Sequence, residues 1–374
     1  MKKVLLCTNS YEQVTNGPAR FANLFHNSYE THNFFVPYVL TEDIDREDEE
    51  RLFKLKMSNF AQKNLFSQLF RNYYYYKQIK KLNKQIGFDV ILFNNSNTGI
   101  LTSLFHKKKS LGFINDNENI DTKIFPVKFE RNYYRRVYLK FLENISTKTF
   151  KTIVTNSNFL TELVMKKYKL NPNKIKRLYK AINLEFLKSH KWDNYYKGEG
   201  VVNITFVKND YERGGLWDLA ESLKLLDEYN FKLNIIGPDF SSKKLIEDIC
   251  KASNIEINFL GPKKQEQIIQ ILLSSQLFCT PARAEALGVA NIEALALGIP
   301  VVSTNVGGIP EVMNNGENGY LAEAFNPESL KLQIEECLIN NSKTKIKVQN
   351  GREFVKSFSS ETLFKNIYEV IKGN

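Results

Sequence analysis

Three observations predict an α/β fold made of two doubly wound, Rossmann-like domains. The chain has 374 residues, more than one hydrophobic core commonly serves. Short apolar runs alternate with helical stretches, which is the rhythm of parallel βαβ units. That rhythm breaks once, in a polar and aromatic stretch over 184–200, and then restarts. The expected domains are therefore 1–184 and 200–356, joined by the intervening segment as a linker. A last helix over 357–374 is expected to pack back on the first domain. Two such domains facing each other would leave a cleft, and open sheets of this type hold ligands at strand carboxyl ends.

The elements follow in order. Lys3–Thr8 is a short apolar run suited to a buried strand. The start, MKKVLLC, has a basic tip, but its apolar part is too short for a secretory leader. A loop, SYEQVTNGPARF, leads to a helix near Pro18, where proline's fixed φ suits a first helical position. Residues 42–50, EDIDREDEE, are expected to be exposed, and 51–86 to be helical and basic. FDVILFN (88–94), LGFIND (111–116) and KTIVTNS (151–157) read as further strands, with a helix from Asn158.

After the break come VNITFV (202–207), a helix over 216–227, FKLNIIG (231–237) and a helix over 242–252. EINFLG (256–261), a helix over 264–273, LFCTP (277–281), a helix near Gly288 and PVVSTN (300–305) complete the second domain. FSSETLFKNIYEVIKG closes the chain with helical periodicity and a serine cap.

Composition narrows the function classes. Apolar residues make up 43% of the chain, enough for sizeable cores. No run of eighteen apolar residues occurs, so no transmembrane helix is expected. Cys7, Cys250, Cys279 and Cys337 lie far apart without metal-ligand spacing and read as buried, reduced thiols of a cytoplasmic protein. The net charge of +11 is uneven: residues 1–190 carry +15 and residues 191–374 carry −4.

The most informative stretch is EALGVANIEALALGIPVVSTNVGGIPEV, Glu285–Val312. A strand leads through PARAEALG into a helix starting near Gly288. A helix start offers unpaired amides and partial positive charge, which suit a phosphate. Carboxylates only accept hydrogen bonds, so Glu285 and Glu293 suit paired sugar hydroxyls. One before the helix and one inside it could grip two sugars flanking a diphosphate. Gly298 and Pro300 stop the helix, and Gly307–Gly308 are expected to let the backbone approach the same cleft closely. Taken singly, each feature fits an ordinary helix start or stop. Their order is the signal.

That order resembles the donor-binding signature of glycosyltransferase family 4, retaining enzymes of the GT-B fold. The family's two glutamates, helix stop, apolar strand and Gly-Gly-x-x-Glu turn match Glu285, Glu293, Gly298–Pro300, Val301–Ser303 and Gly307–Glu311, and NGENGYL (315–321) resembles its tail. The likeness is strongest over about 200–325. It implies that Glu285 holds hydroxyls of the transferred sugar and Glu293 holds the ribose. Leu287, Gly288 and Val289 would offer backbone amides to the phosphates. Gly17, in TNGPARF, would belong to the first domain's glycine-rich loop.

The cation expected after the second domain's first strand falls in FVKNDYERGGLWDL, with Arg213 and Lys208 as donor-binding candidates. In the first domain, GFIND places Asn115 where relatives carry a histidine, followed by Asp116. Asn115 can hydrogen-bond a hydroxyl but cannot act as a base near neutral pH. The resemblance implies that the leaving phosphate itself takes the acceptor proton, so Arg213, Glu285, Asn115 and Asp116 are the catalytic candidates. RLYKAIN (177–183) is similar to the family's hinge-side segment, with Ala181 in place of glycine.

Residues 51–190 hold 28 Lys and Arg against 8 Asp and Glu, interleaved with Tyr and Phe. An anionic membrane surface, a nucleic acid and merely solvated helix faces all fit. The resemblance favours the membrane, and no nucleic-acid-binding motif is visible.

The expected function is transfer of a sugar from a nucleotide-diphosphate donor, UDP-sugar favoured, to a glycan or lipid-linked saccharide in surface polysaccharide or glycoconjugate synthesis. No metal or other cofactor is expected, and the location would be cytoplasmic, peripheral at the inner membrane face. A sugar-nucleotide epimerase or phosphorylase on the same fold, and a basic nucleic-acid-binding protein, stay open as alternatives.

Overall fold

The computed structural model describes residues 1–12, 17–44, 49–58, 61, 66–117, 120, 131–190, 192–240, 243–251 and 253–373. The chain divides into two compact units, residues 1–181 with 360–374, and residues 182–359.

The first unit is built on β1 (Lys3–Thr8), β2 (Val36–Thr41), β3 (Leu52–Lys54), β4 (Val90–Phe93), β5 (Ser110–Ile114), β6 (Thr152–Thr155) and β7 (Ile175–Arg177). They form a parallel sheet in the order β3-β2-β1-β4-β5-β6-β7. The second unit holds β8 (Val201–Val207), β9 (Asn230–Ile236), β10 (Ile255–Gly261), β11 (Leu277–Thr280), β12 (Val301–Thr304) and β13 (Tyr320–Ala322). Their parallel order is β10-β9-β8-β11-β12-β13.

In both sheets the fourth strand returns to the free side of the first. The winding direction therefore reverses beside β1 and β4, and again beside β8 and β11. The loops leaving the two strands at such a switch point diverge and open a crevice at their carboxyl ends.

The central strands are apolar on both faces because helices cover both. Val90–Phe93 and Ser110–Ile114 are buried throughout. The first core gathers Val4, Leu6, Phe25, Phe35, Val39 and Val154. The final helix, Ser360–Lys372, joins that core through Leu363, Phe364, Ile367 and Ile371, one face at helical spacing. Phe364 meets the rings of Phe25 and Phe35 at 6.1 Å each. Burying one such ring is worth about 1.5–3 kcal/mol, so this helix is bound firmly to the first unit. The second core is a separate cluster around Ile204, Phe206, Leu219, Leu233 and Leu277.

Three sequence expectations need correction. Residues 51–86 are not helical throughout. Leu52 and Phe53 are buried in the short edge strand β3, paired to Val39 and Leu40, and the helix runs over Ser67–Ile86. Nor is the acidic run 42–50 wholly exposed. Glu42 accepts from the Arg71 guanidinium at 2.8 Å, Asp43 accepts the Tyr11 and Glu12 N–H groups, and Ile44 is buried. Residues 45–48 lie outside the described residues.

Finally, 184–200 is not a free linker. The indole of Trp192 donates to the Ser275 carbonyl at 2.7 Å, Asn194 donates to Ser274, and the Tyr196 carbonyl accepts from Asn341. This segment is docked on the second unit. All four cysteines are buried free thiols.

Candidate active site

The second unit's switch point collects most of the sequence candidates. Lys208 directly follows β8. The loop from there to the helix Leu216–Lys224 runs against the loop that follows β11. Two glycines permit the fit. A Cβ on Gly215, at φ +74°, would stand 2.0 Å from the Pro281 carbonyl oxygen. One on Gly237, at φ +154°, would stand 1.9 Å from that of Lys208. The contact is then fastened by hydrogen bonds. The Arg283 N–H donates to the Arg213 carbonyl at 2.9 Å, and Arg213 Nε donates to the Ala284 carbonyl at 3.2 Å.

Arg283 was not among the sequence candidates. Its guanidinium donates from Nε and Nη2 to both carboxylate oxygens of Asp218, each at 2.8 Å. It also lies over the rings of Trp217 and Phe325, at 5.0 and 4.9 Å. This half-buried, bidentate pair locks the β11 loop to the helix that follows β8. No spacing in the sequence links residues 65 positions apart.

Glu285 stands at the end of that loop, and its carboxylate takes Oε2 against the Lys208 ammonium. Oε1 accepts the N–H groups of Ala286 and Leu287, at 3.0 and 3.4 Å. Burial would push this carboxyl up. The Lys208 ammonium, the Arg213 charge and the Leu287 N–H more than offset that, and hold it at about 2. It is therefore an anion across the whole physiological range, with two cationic side chains gathered near it.

Gly307 and Gly308 bring their backbone against the same loop. A Cβ on Gly307, at φ +59°, would meet the Glu285 carbonyl oxygen at 1.8 Å, and one on Gly308 would meet that of Ala286 at 2.2 Å. The Gly308 N–H also donates to the Glu285 carbonyl at 3.1 Å. The expected close approach is thus an approach to the protein's own backbone, which sets the height of Glu285.

The helix Val289–Leu297 begins at Gly288, whose left-handed conformation (φ 92°) turns the chain into the helix without a side-chain cap. Gly298, also left-handed, ends it and donates back to the Ala294 and Leu295 carbonyls. Val289 opens its first turn and Leu287 is buried beside it. Glu293 is half-buried one turn further in, with Gln265 Nε2 at 3.4 Å from Oε1. Lys208, Arg213, Glu285, Leu287, Gly288, Val289 and Glu293 therefore all belong to one end of one sheet.

Gly17, Asn115 and Asp116 belong to the first unit. Asn115 follows β5 and donates from Nδ2 to the Asn94 carbonyl at 2.6 Å, while Asn156 donates to the Asn115 carbonyl at 2.9 Å. Asn94 in turn reaches Thr8 Oγ1 at 3.3 Å, so an amide network crosses the carboxyl ends of β1, β4, β5 and β6. Gly17 and Asn115 line a pocket there, together with Phe21, Asn94, Tyr179 and Lys180. Asp116 is exposed. Gly17 begins the helix Gly17–Thr31, and a Cβ on it would meet nothing within 4 Å. Neither packing nor backbone conformation asks for glycine at that position. The preceding residues 13–16 lie outside the described residues. Among the described residues, no helix is long and apolar enough to cross a membrane.

Residues 197–354 match the family model described as glycosyl transferases group 1. An uncharacterized glycosyltransferase of Methanocaldococcus jannaschii is 31% identical over 227 residues, covering 59% of this chain and 61% of its own length. The chain thus spans about three fifths of that relative.

Whole-chain likeness comes from structures. A glycosyltransferase from Rickettsia africae matches with a TM-score of 0.73 at 21% identity, over 100% of this chain and 99% of its own. Anabaena HepE, solved in complex with UDP-glucose, matches with a TM-score of 0.73 at 15% identity, over 100% of both chains. The chain has the two parallel-sheet α/β domains of the GT-B fold. The stretch that carries Lys208, Arg213, Glu285 and Glu293 lies within the residues that match the glycosyl transferases group 1 model.

Proposed function

We propose that this protein is a retaining glycosyltransferase of family 4 type, a hexosyltransferase using a nucleotide-diphosphate sugar, with UDP the favoured nucleotide. The observation that carries the reading is the gathering of Lys208, Arg213 and an ionised Glu285 beside the uncapped Gly288 helix start.

Each group has a task in that reading. The helix start, through the amides of Leu287, Gly288 and Val289, and the Arg213 guanidinium face the diphosphate. They stabilise the charge that grows on it as the glycosidic bond breaks. Lys208 adds a second cation and orients Glu285. The Glu285 carboxylate accepts hydroxyls of the transferred sugar, and Glu293 accepts those of the ribose. The departing phosphate takes the acceptor proton on the same face, so no side-chain base is required and Asn115 is compatible with turnover. Gly17 leaves room for the diphosphate, while Asn115 and Asp116 bind hydroxyls on the acceptor side. In this scheme neither a metal nor any other cofactor is needed.

The acceptor is a glycan or lipid-linked saccharide of surface polysaccharide or glycoconjugate synthesis. The protein would work at the cytoplasmic face of the membrane, with no nucleic acid as partner. A thermal-shift panel of UDP, GDP, their sugars and oligonucleotides, followed by donor-hydrolysis assays on the sugars that bind, tests the reading. A UDP-sugar is expected to raise the melting temperature and to be slowly hydrolysed, since saturating a site at 100 Kd adds about 2.7 kcal/mol. Stabilisation by oligonucleotides alone would overturn it.

A further inference from the structure

Each sheet carries a largely buried arginine–carboxylate pair at its carboxyl end, and the two pairs are built differently. Arg283 donates to Asp218 from Nε and Nη2, one nitrogen to each oxygen. Arg71 donates to Glu42 from Nε alone, to Oε1 at 2.8 Å and to Oε2 at 2.9 Å. Its terminal nitrogens form no hydrogen bond among the described residues. The pair is nevertheless enclosed, with the Arg71 side chain 16% exposed and that of Glu42 7%. Such a guanidinium is oriented by one partner and keeps a planar pair of donors for another.

Further unpartnered groups lie beside it. Arg71 stands in the second turn of the helix Ser67–Ile86. The next residue, Asn72, donates from Nδ2 to the Gln68 carbonyl at 2.8 Å and to the Asn97 carbonyl at 2.6 Å. That holds the first turn of the helix against the loop after β4. The side-chain oxygens Gln68 Oε1 and Asn97 Oδ1 are buried and have no hydrogen-bond partner among the described residues. Asn97 as a whole is 3% exposed. A buried amide oxygen is unfavourable until a donor reaches it.

This corner joins the amide network around Asn94. Tyr75, one turn on from Arg71, donates its hydroxyl to the Thr8 carbonyl at 2.7 Å and stands 3.4 Å from Glu42 Oε1. Thr8 Oγ1 accepts from Asn94, and the Asn94 carbonyl accepts from Asn115. A polar row therefore crosses the carboxyl ends of β2, β1, β4 and β5. Arg71 is at one end and Asn115 at the other.

The donors and acceptors name a ligand chemistry. The terminal nitrogens of a guanidinium match the paired oxygens of a carboxylate or a phosphate. Unpartnered amide oxygens match hydroxyls. Glu42 offsets part of the arginine's charge, so recognition rests on the fixed plane of the donors more than on net charge. The neighbouring carboxylate, Asp43, already accepts from Thr41 Oγ1 and from the Tyr11 and Glu12 N–H groups. A saccharide with an acidic group has both features.

We infer that the first unit binds a saccharide bearing a carboxylate or a phosphate, with the anionic group on Arg71 and hydroxyls on Gln68 and Asn97. That this saccharide is the acceptor rests on the transferase reading; its binding does not.

The test is calorimetric titration of the full chain with glucose 6-phosphate, glucuronate and glucose. At least one acidic sugar is expected to bind about tenfold or more tightly than glucose, the factor that one charge-assisted hydrogen bond contributes. The tighter of the two identifies the group as phosphate or carboxylate. Arg71→Gln is expected to abolish the preference. Because that change strands the buried Glu42 charge, the double substitution Arg71→Gln with Glu42→Gln is measured beside it. Arg213→Ala, in the other unit, is expected to bind the acidic sugars as the parent does. UDP titrations report on the second unit, so the two readings fail separately. Glucose bound as tightly as both acidic sugars, neither acidic sugar bound, a preference kept in the double variant, or one lost in Arg213→Ala would each overturn the inference.

Discussion

The Lys208 ammonium is seated against Oε2 of Glu285, across the switch point of the second sheet. The carboxyl is thereby held at about 2, below its ordinary value of 4.5. A depressed carboxylate stabilises the fold fully above its unfolded value, and the contribution is lost as pH falls through the folded one. Glu285→Gln is therefore expected to be less stable than the parent at neutral pH, by about 1–3 kcal/mol. The gap should close between pH 4.5 and pH 2. Urea melts across that window measure it, and a gap that does not change with pH would refute the assignment.

Arg283 and Asp218 should behave as one unit. Arg283→Lys keeps the charge but loses the planar, two-point grip, at an expected cost of about 1–3 kcal/mol. Asp218→Asn should cost a similar amount, and the double variant little more than either. Donor affinity should fall in all three, because the loop bearing Glu285 is released. Strictly additive losses in a double-mutant cycle would show that the pair is not coupled.

Two glycines make a contrast. Gly307→Ala places a methyl 1.8 Å from the Glu285 carbonyl oxygen and in a left-handed conformation. A loss of about 2 kcal/mol or more is expected, together with loss of donor binding. Gly17→Ala meets nothing within 4 Å and should leave the melting temperature unchanged. Any fall in its donor affinity or turnover then reports a ligand at that position. Full activity in Gly17→Ala would remove Gly17 from the diphosphate site.

If Arg213 and the Gly288 helix start neutralise the diphosphate, turnover should survive chelation by EDTA. Arg213→Ala should lower turnover by about 10²-fold or more, a larger effect than the stability lost with its hydrogen bond to the Ala284 carbonyl. Activity abolished by EDTA and restored by magnesium or manganese would contradict this electrostatic account.

Glu293→Ala is expected to weaken UDP binding by roughly tenfold or more, since charge-assisted hydrogen bonds are worth about 1.5–3 kcal/mol each. Calorimetry on the folded variant decides it, and an unchanged UDP affinity would exclude Glu293 from the ribose.

Local pattern and long-range pairing contributed different parts of this protein. The sequence by itself determined the two α/β runs and the end of the second sheet where Glu285, Gly288 and Glu293 stand. Apolar periodicity, glycine at special φ values and helix stops act over a few residues, so they can be read in a line. It also showed the cationic excess over 51–190.

Only the tertiary structure decided what those residues touch. The edge strand at Leu52–Lys54 exists because β2 offers it a partner. Glu42 and Asp43 leave the acidic run because Arg71 and the Tyr11 backbone reach them. Arg283 matters because Asp218, 65 positions away, closes on its guanidinium. Gly307 and Gly308 turned out to underlie Glu285 itself. Each of these is a contact between distant parts of the chain. Such a contact forms only where burial and hydrogen bonding across the whole fold exceed the entropy of bringing those parts together, and no local pattern encodes that sum.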